Sequence, residues 1–244
     1  MTAFDLVIGL VAVAAGAVAS VAGFGIGSLL SPVLALETGL KLAVAAVSIP
    51  HICATGLRFW RLRHAVDLRV LWSFGLTSAA GGLCGALFHG LATSRWLTGV
   101  FALLLIFAGI AGLTGWAAQM RFRGRIAWFA GALSGFFGGL VGNQGGIRSA
   151  AMLGIDVSRD AFVATATAIA LLVDVARVPV YLLTQGREIA SLWPLVLIAV
   201  LGALVGTLLG ERVLRRIPES FFRRVVAGLI LLLGLYELYV FAHA

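Results

Sequence analysis

Apolar residues run through this chain in blocks too long for a soluble fold. Segments 6–36, 70–94, 96–120 and 189–210 contain no Asp, Glu, Lys or Arg. Each meets the roughly 20 residues that a helix needs to cross the hydrocarbon of a bilayer. The pattern predicts eight long helices, near 4–22, 41–60, 70–90, 95–117, 126–141, 161–183, 190–210 and 222–241. Trp60, Trp72, Trp96, Trp116, Trp128 and Trp193 all fall near predicted ends, where an aromatic belt is expected.

Two runs depart from simple spans. Segment 6–36 would reach about 46 Å as one helix, well beyond the roughly 30 Å hydrocarbon core. It is interrupted by GFGIGS (23–28) and continues as LLSPVLAL. A helix, a glycine break and a short apolar segment fit better. The same shape recurs at 126–155, as a helix, then GNQGG (142–146), then IRSAAMLGI.

This recurrence extends along the chain. At a spacing of 119, Gly23 falls on Gly142, Gly27 on Gly146, Glu37 on Asp156 and Arg58 on Arg177. At a spacing of 121, Leu71 and Trp72 fall on Leu192 and Trp193, while Gly81, Gly85 and Leu87 fall on Gly202, Gly206 and Leu208. Glycine and leucine matches come cheaply in such a composition. The arginine pair, the acid pair and the shared break do not. The expected architecture is an all-α polytopic membrane protein made of two pseudo-repeats, 1–120 and 121–244, in one integral unit. Each repeat has four long helices plus one short Gly-broken segment.

Charge bears on how the repeats are arranged. Links 58–69, 121–125 and 211–224 each carry a net charge of +3. If each short segment completes a crossing, the halves are inverted and all three basic links share the cytosolic side. If the segments dip in and return, the last link lies opposite the other two. The charge pattern favours the inverted arrangement, with both termini outside. Gly-broken segments at matching positions of two inverted halves point to a transport site.

Composition agrees. The chain has 244 residues, of which 61% are hydrophobic and 11% charged, with a mean hydropathy of +1.07. A soluble domain carries about a quarter charged residues. The net charge of +8 does not signal nucleic-acid binding, because the basic residues cluster in short links between spans. The first apolar run follows Asp5 and no basic residue, so it reads as a span rather than a cleaved signal. Cys53 and Cys84 lack metal spacing and read as helix-packing residues. No metal, cofactor or nucleophile motif is legible, so an enzyme is not expected.

Chemistry concentrates at the breaks. An open helix start offers free N–H groups and a positive dipole end, a ready anion site. Two such starts are expected, near Gly27–Ser28 and near Gly146–Ile147. Gly25 and Gly27 in the first break, and Gly145 and Gly146 in the second, let backbone approach a ligand closely. Ser28, Ser31 and Ser149 add hydroxyls, Asn143 and Gln144 add amides, and Arg148 adds a planar cationic fork suited to oxyanions. Arg148 either contacts an anion or serves as a structural charge, capping carbonyls or pairing with an acid such as Asp174. Asp174 and Arg177 share a helix face, which suits a local ion pair. The sharper alternative makes Asp174 a relay and Arg177 part of the path. His51 is either packed and hydrogen-bonded or titrating near neutrality. Arg58 lies near a helix end and reads first as a topology charge. Pro32, Pro50 and Pro179 are expected at kinks or breaks. Glu37 and Asp156 are expected in interfacial water.

The paired motifs GFGIGSLLSPVLAL and GLVGNQGGIRSAAMLGI, some 120 residues apart, resemble the sulfite exporter TauE/SafE family of membrane transporters. The resemblance covers nearly the whole chain and rests on Gly23, Gly25, Gly27 and Pro32, then on Gly142, Gly145 and Gly146. It implies transport of small anions, often sulfur-containing, such as sulfite, sulfonates or sulfoacetate. The second motif departs from the family pattern at Asn143, Gln144 and Arg148, and Ala151 stands where Pro32 stands in the first. That puts the particular substrate in doubt. The expected function is secondary transport of a small anion across the bacterial inner membrane by alternating access. A non-transporting anchor or assembly subunit is the alternative. Small-residue spacing such as Gly81–Gly85 admits close packing within one chain or in a homodimer.

Overall fold

The computed structural model describes residues 2–23, 25–115, 125–143, 145, 148, 159–214 and 219–243. All regular structure among them is helical. We number the helices α1 (Ala3–Ala22), α2 (Ile26–Thr38), α3 (Leu40–Leu62), α4 (Leu68–Leu91), α5 (Ser94–Thr114), α6 (Arg125–Val141), α7 (Arg159–Ser191), α8 (Trp193–Leu214) and α9 (Glu219–His243). Seven of them are long and apolar enough to cross a membrane, namely all but α2 and α6.

Local chemistry sets the ends. Thr2 caps α1 through a reciprocal pair of bonds with Asp5, the capping box that satisfies two orphan donors. Gly23, at φ +77°, ends α1 in the left-handed conformation, and its N–H donates to the Ala19 carbonyl. α2 starts at Gly25, with φ +136°, a backbone that a Cβ would strain. It has 13 residues, about 20 Å, too short to cross alone. Asp67 caps α4 by accepting from the N–H groups of Arg69 and Val70.

Four expectations need correction. Helix α6 was expected as an eighth long span. Its bounds are those expected, but its 17 residues make only about 26 Å, short of a full span, before Gly142 turns the chain at φ +72°. The link expected at 184–190 is helical, since α7 continues through a kink at Gln185 to Ser191. Arg58, expected at an interface, sits within α3 and is 5% exposed. The helix runs on through Gly56 to Leu62, and its Arg58 reaches inward to the Ala19 carbonyl. Cys53 and Cys84 were expected in helix packing. Both lie on the exposed surface of the bundle. Pro32, Pro50 and Pro179 stand inside α2, α3 and α7.

Helices α3 and α7 are the most buried spans and pack against each other. Around them α1 packs on α8, α4 on α6 and α7, α3 on α8 and α2, and α5 on α9. Two seams are closed by glycine. A Cβ on Gly16 would collide with the Ala203 carbonyl, and one on Gly139 with the Gly82 carbonyl. Likewise Gly206 meets Val13 and Gly85 meets Phe136. Each contact of the α1–α8 seam thus returns in the α4–α6 seam, with α1 positions shifted by 123 and α4 positions by 121. Trp60, Trp72, Trp96, Trp128 and Trp193 are all exposed, as a belt facing lipid headgroups requires. Glu37 is exposed at the end of α2.

Candidate functional site

The two glycine breaks meet. A Cβ on Gly27 would strike the Gly142 carbonyl, so only glycine admits this approach. Just beyond, Ser28 Oγ donates to Asn143 Oδ1 at 3.3 Å. Arg148 Nη2 donates to the Gly23 carbonyl at 3.0 Å. Each break is therefore pinned by polar groups that follow the other. Gly25, Gly27, Ser28, Ser31, Asn143, Gly145 and Arg148 are all buried here. Gln144, Gly146 and Ser149 lie outside the described residues.

Two further arginines hold the helix ends that lead into the breaks. Arg58 on α3 donates through Nη1 to the Ala19 carbonyl. Arg177 on α7 donates through Nη1 to the Gly138 carbonyl at 2.5 Å. The same two carbonyls accept the N–H of the terminating glycines, Gly23 at 3.0 Å and Gly142 at 3.1 Å. Arg58 and Arg177 are 119 residues apart, as are Ala19 and Gly138 and the two glycines. A helix C-terminus leaves carbonyls without intrahelical partners and carries the negative end of the dipole, so a guanidinium is a fitting cap.

Asp174 is fully buried beside Arg177, at 2.9 Å from Nε and 2.8 Å from Nη2 through Oδ1. The ion pair expected from spacing is present. Its other oxygen, Oδ2, accepts from His51 Nδ1 at 2.6 Å. A carboxylate only accepts, so the proton between them belongs to the imidazole. His51 is thus joined across α3 and α7 to the acid that pairs with Arg177. Thr55, one turn along α3, lies 3.4 Å from the same ring nitrogen. Alongside, Tyr181 donates to the Gly139 carbonyl at 2.5 Å, and His89 Nδ1 lies 2.7 Å from the Leu140 carbonyl.

The charge balance of this centre is lopsided. Arg148, Arg177 and Arg58 are 2%, 1% and 5% exposed, and Asp174 is the carboxylate among them. Arg148 lies within electrostatic reach of Arg58, Arg177 and Asp174. Three guanidiniums against one carboxylate leave two positive charges uncompensated among the described residues. Hydrogen bonding is lopsided in the same sense. Among the described residues, Arg148 Nε and Nη1, Arg58 Nε and Asn143 Nδ2 are buried donors with no partner, and Ser31 Oγ adds a hydroxyl. A buried unsatisfied polar group costs about 1–3 kcal/mol, and more when charged. What would satisfy this set is a compact acceptor with negative charge. No group of three or more His, Cys, Asp or Glu among the described residues could hold a metal ion.

Sequence reasoning found most of these residues one by one, but not their grouping. Arg58 was already aligned with Arg177, and that alignment was the available signal for its cap. The joining of His51 to Asp174 left no signal, because 123 residues separate them.

A multi-span helical bundle with a charged, glycine-lined centre between its most buried helices defines a polytopic membrane transporter of small solutes. The family model described as Sulfite exporter TauE/SafE matches residues 8–237, and the chain belongs to that family. Its members are transporters and not enzymes. No curated protein and no solved structure matches the chain.

Proposed function

We propose that the protein is a secondary transporter of a small, sulfur-containing oxyanion in the bacterial inner membrane. The observation that carries this reading is the surplus of buried guanidinium and orphan donors where the two breaks meet. An isolated buried charge is prohibitive, so such a surplus calls for a counter-ion. An oxyanion bound at Arg148, Asn143 and Ser31 supplies both the charge and the acceptors. The sulfur follows from the family, whose description names sulfite.

Matched packing supports a duplicated frame. Exchanging α1 with α6, α3 with α7, α4 with α8 and α5 with α9 turns the α1–α8 contact into the α6–α4 contact. It also turns α4–α7 into α8–α3 and leaves α3–α7 and α5–α9 unchanged. Such an exchange is what a pseudo-two-fold axis between α3 and α7 would produce. An inverted pair related by such an axis gives two equivalent ways to close around a central anion, the basis of alternating access. The sulfur anions to test are sulfite, sulfate, thiosulfate and sulfoacetate, with the zwitterion taurine and with acetate as controls.

The experiment is thermal unfolding of purified protein with each anion, run for wild type, Arg148→Lys and Arg148→Ala. A ligand at 100 times its Kd stabilises the folded state by about 2.7 kcal/mol. One sulfur anion should stabilise wild type, stabilise Arg148→Lys less, and leave Arg148→Ala unmoved. The reading fails if no anion stabilises wild type and liposomes holding the protein move none of them under any gradient.

A further inference from the structure

We propose that His51, held by Asp174, is the proton-binding site of a proton-coupled cycle, in which the proton and the anion cross together. The proposal rests on the anion-transport reading above and adds the coupling ion.

Three observations carry it. First, the centre is asymmetric where the frame is matched. Arg58 and Arg177 hold equivalent carbonyls, but the residue three before Arg177 is Asp174, while the residue three before Arg58 is Thr55. A second cap needs no carboxylate, as Arg58 shows. Asp174 therefore serves something besides the fold of the break, and the group on its free oxygen is His51. Second, access is graded along the chain of groups. The His51 side chain is 11% exposed and that of Asp174 is 0%. The imidazole is the outer group of the pair and the carboxylate behind it is sealed, so a proton entering the pair meets His51 first. With Nδ1–H committed to Asp174, Nε2 is the nitrogen that takes a proton. Third, the pair bridges α3 and α7, the two central helices whose relative movement would open or close the site.

The charged groups around His51 set the sign. Asp174 and Arg177 face it from α7, and Arg58 lies on its own helix. The 193–210 stretch of α8 carries no ionisable residue, and the acid of α2, Glu37, is exposed. A proton on His51 raises the local surplus from two positive charges to three. An anion bound nearby is then held more tightly, and a bound anion makes the proton easier to accept. Linkage requires the two effects to be equal. Species that attract each other at one site travel in the same direction, whichever way the gradients set.

Two measurements test this. The first needs no substrate. The protein has four histidines, His51, His64, His89 and His243. Histidine-selective 15N NMR of wild type and His51→Asn identifies the His51 signal by its loss. Asparagine keeps a donor towards Asp174 and cannot take up a proton. The wild-type ring should change protonation state within the pH range over which the protein stays folded. A ring fixed in one state throughout overturns the proposal. The second uses proteoliposomes with labelled sulfoacetate as probe and a pH dye inside. Equal sulfoacetate on both sides measures exchange, and an imposed pH gradient measures net coupled flux. His51→Asn should lose gradient-driven net flux by about tenfold or more relative to wild type when each is normalised to its own exchange rate. Wild-type net flux with no dye response, or His51→Asn driven by the pH gradient as well as wild type, overturns the coupling. Absence of sulfoacetate exchange in wild type counts against the anion reading for that probe, and the NMR titration then decides the proton site alone.

Discussion

Asp174→Asn is the substitution whose cost follows most directly from the geometry. Asp174 is fully buried, with Arg177 at 2.8 and 2.9 Å and His51 at 2.6 Å. Asparagine keeps the shape but removes the charge. It also sets an amide N–H against either Arg177 or His51, both donors. A charge pair at this distance attracts by about 6 kcal/mol at an effective dielectric near 20. Desolvation of the carboxylate offsets part of that. Breaking a buried pair from one side has a net cost of about 3–5 kcal/mol, because the partner is left charged and alone. Removing both charges, as in Asp174→Asn with Arg177→Gln, should recover all but about 1–2 kcal/mol, the loss of the Gly138 cap included.

The assay is reversible unfolding in mixed detergent and SDS micelles of wild type, both single variants and the double variant. A coupling energy of about 2 kcal/mol or more is expected from the cycle. The charge count predicts a second effect. Asp174→Asn takes the centre from two uncompensated positive charges to three. Stabilisation by a bound sulfur anion should therefore grow relative to wild type, although the unliganded protein is weaker. A single-variant cost under about 1 kcal/mol would refute the reasoning, as would a double variant that merely sums the singles. Either result would mean that Arg177 has another counter-ion and that the surplus of charge is not what it is taken to be.

Three further outcomes are expected. Gly139→Ala and Gly16→Ala each drive a Cβ into a facing carbonyl and should cost about 1–3 kcal/mol, whereas Gly56→Ala and Gly228→Ala, with open space, should stabilise by up to about 1 kcal/mol in the same unfolding assay. Arg58→Gln strips a cap from the Ala19 carbonyl and removes one of the three positive charges, so it should cost less than Asp174→Asn, about 1–3 kcal/mol, and its coupling to Asp174→Asn in the same unfolding assay should be smaller than that of Arg177→Gln, which contacts Asp174 directly. Binding of a sulfur anion that does not itself titrate should weaken as pH rises through the titration of His51, because deprotonating the ring removes a positive charge, and that step should be missing in His51→Asn when followed by anion-induced thermal shifts.

Much of the fold could be read from the sequence because bilayer length is a blunt constraint. Runs of some twenty apolar residues have one stable use, and the tryptophans mark where they end. What failed was local. Residues 184–190 looked like a link because Gln185, Gly186, Arg187 and Glu188 are polar, yet hydrogen bonding carries α7 through a kink at Gln185. Helix α6 ends where the glycine break at 142–146 put it, and Gly142 supplies the turning backbone angle. Its apolar composition made it look like a full span, although at 17 residues it is shorter than the roughly 20 that a crossing needs. Arg58 was misplaced for a related reason. Hydropathy treats an arginine near a helix end as bound for water, and it carries no information about an unsatisfied carbonyl on another helix. The candidate site was legible as a list of residue types, since an arginine at depth has few uses. Its assembly depends on contacts between positions more than a hundred residues apart, such as Ser28 with Asn143 and His51 with Asp174. Nothing in local periodicity encodes those.

The places where the two proposed halves disagree are more informative than those where they agree. Agreement at Gly16 and Gly139, or at Arg58 and Arg177, is what packing and capping demand of any matched frame. Those positions would be the same whatever the cargo. Thr55 against Asp174 is different, because a hydroxyl and a carboxylate cannot serve one structural need equally. His51 against Ala170, at the same spacing of 119, is different again. Both departures fall on one contact, 2.6 Å long, at the axis that would relate the halves. If the departures were drift, a change on one side would have no reason to meet a change on the other. Their meeting implies a shared use that a single group could not supply. Exchanging the pair between halves tests this. Thr55→Asp with Ala170→His and Asp174→Thr with His51→Ala moves the acid and the imidazole across the axis while keeping both arginines. If the pair serves coupling, the fourfold variant should regain gradient-driven flux that Asp174→Thr with His51→Ala alone has lost. If the pair serves only the fold of one break, the exchange should restore no coupled flux, whatever it does to stability.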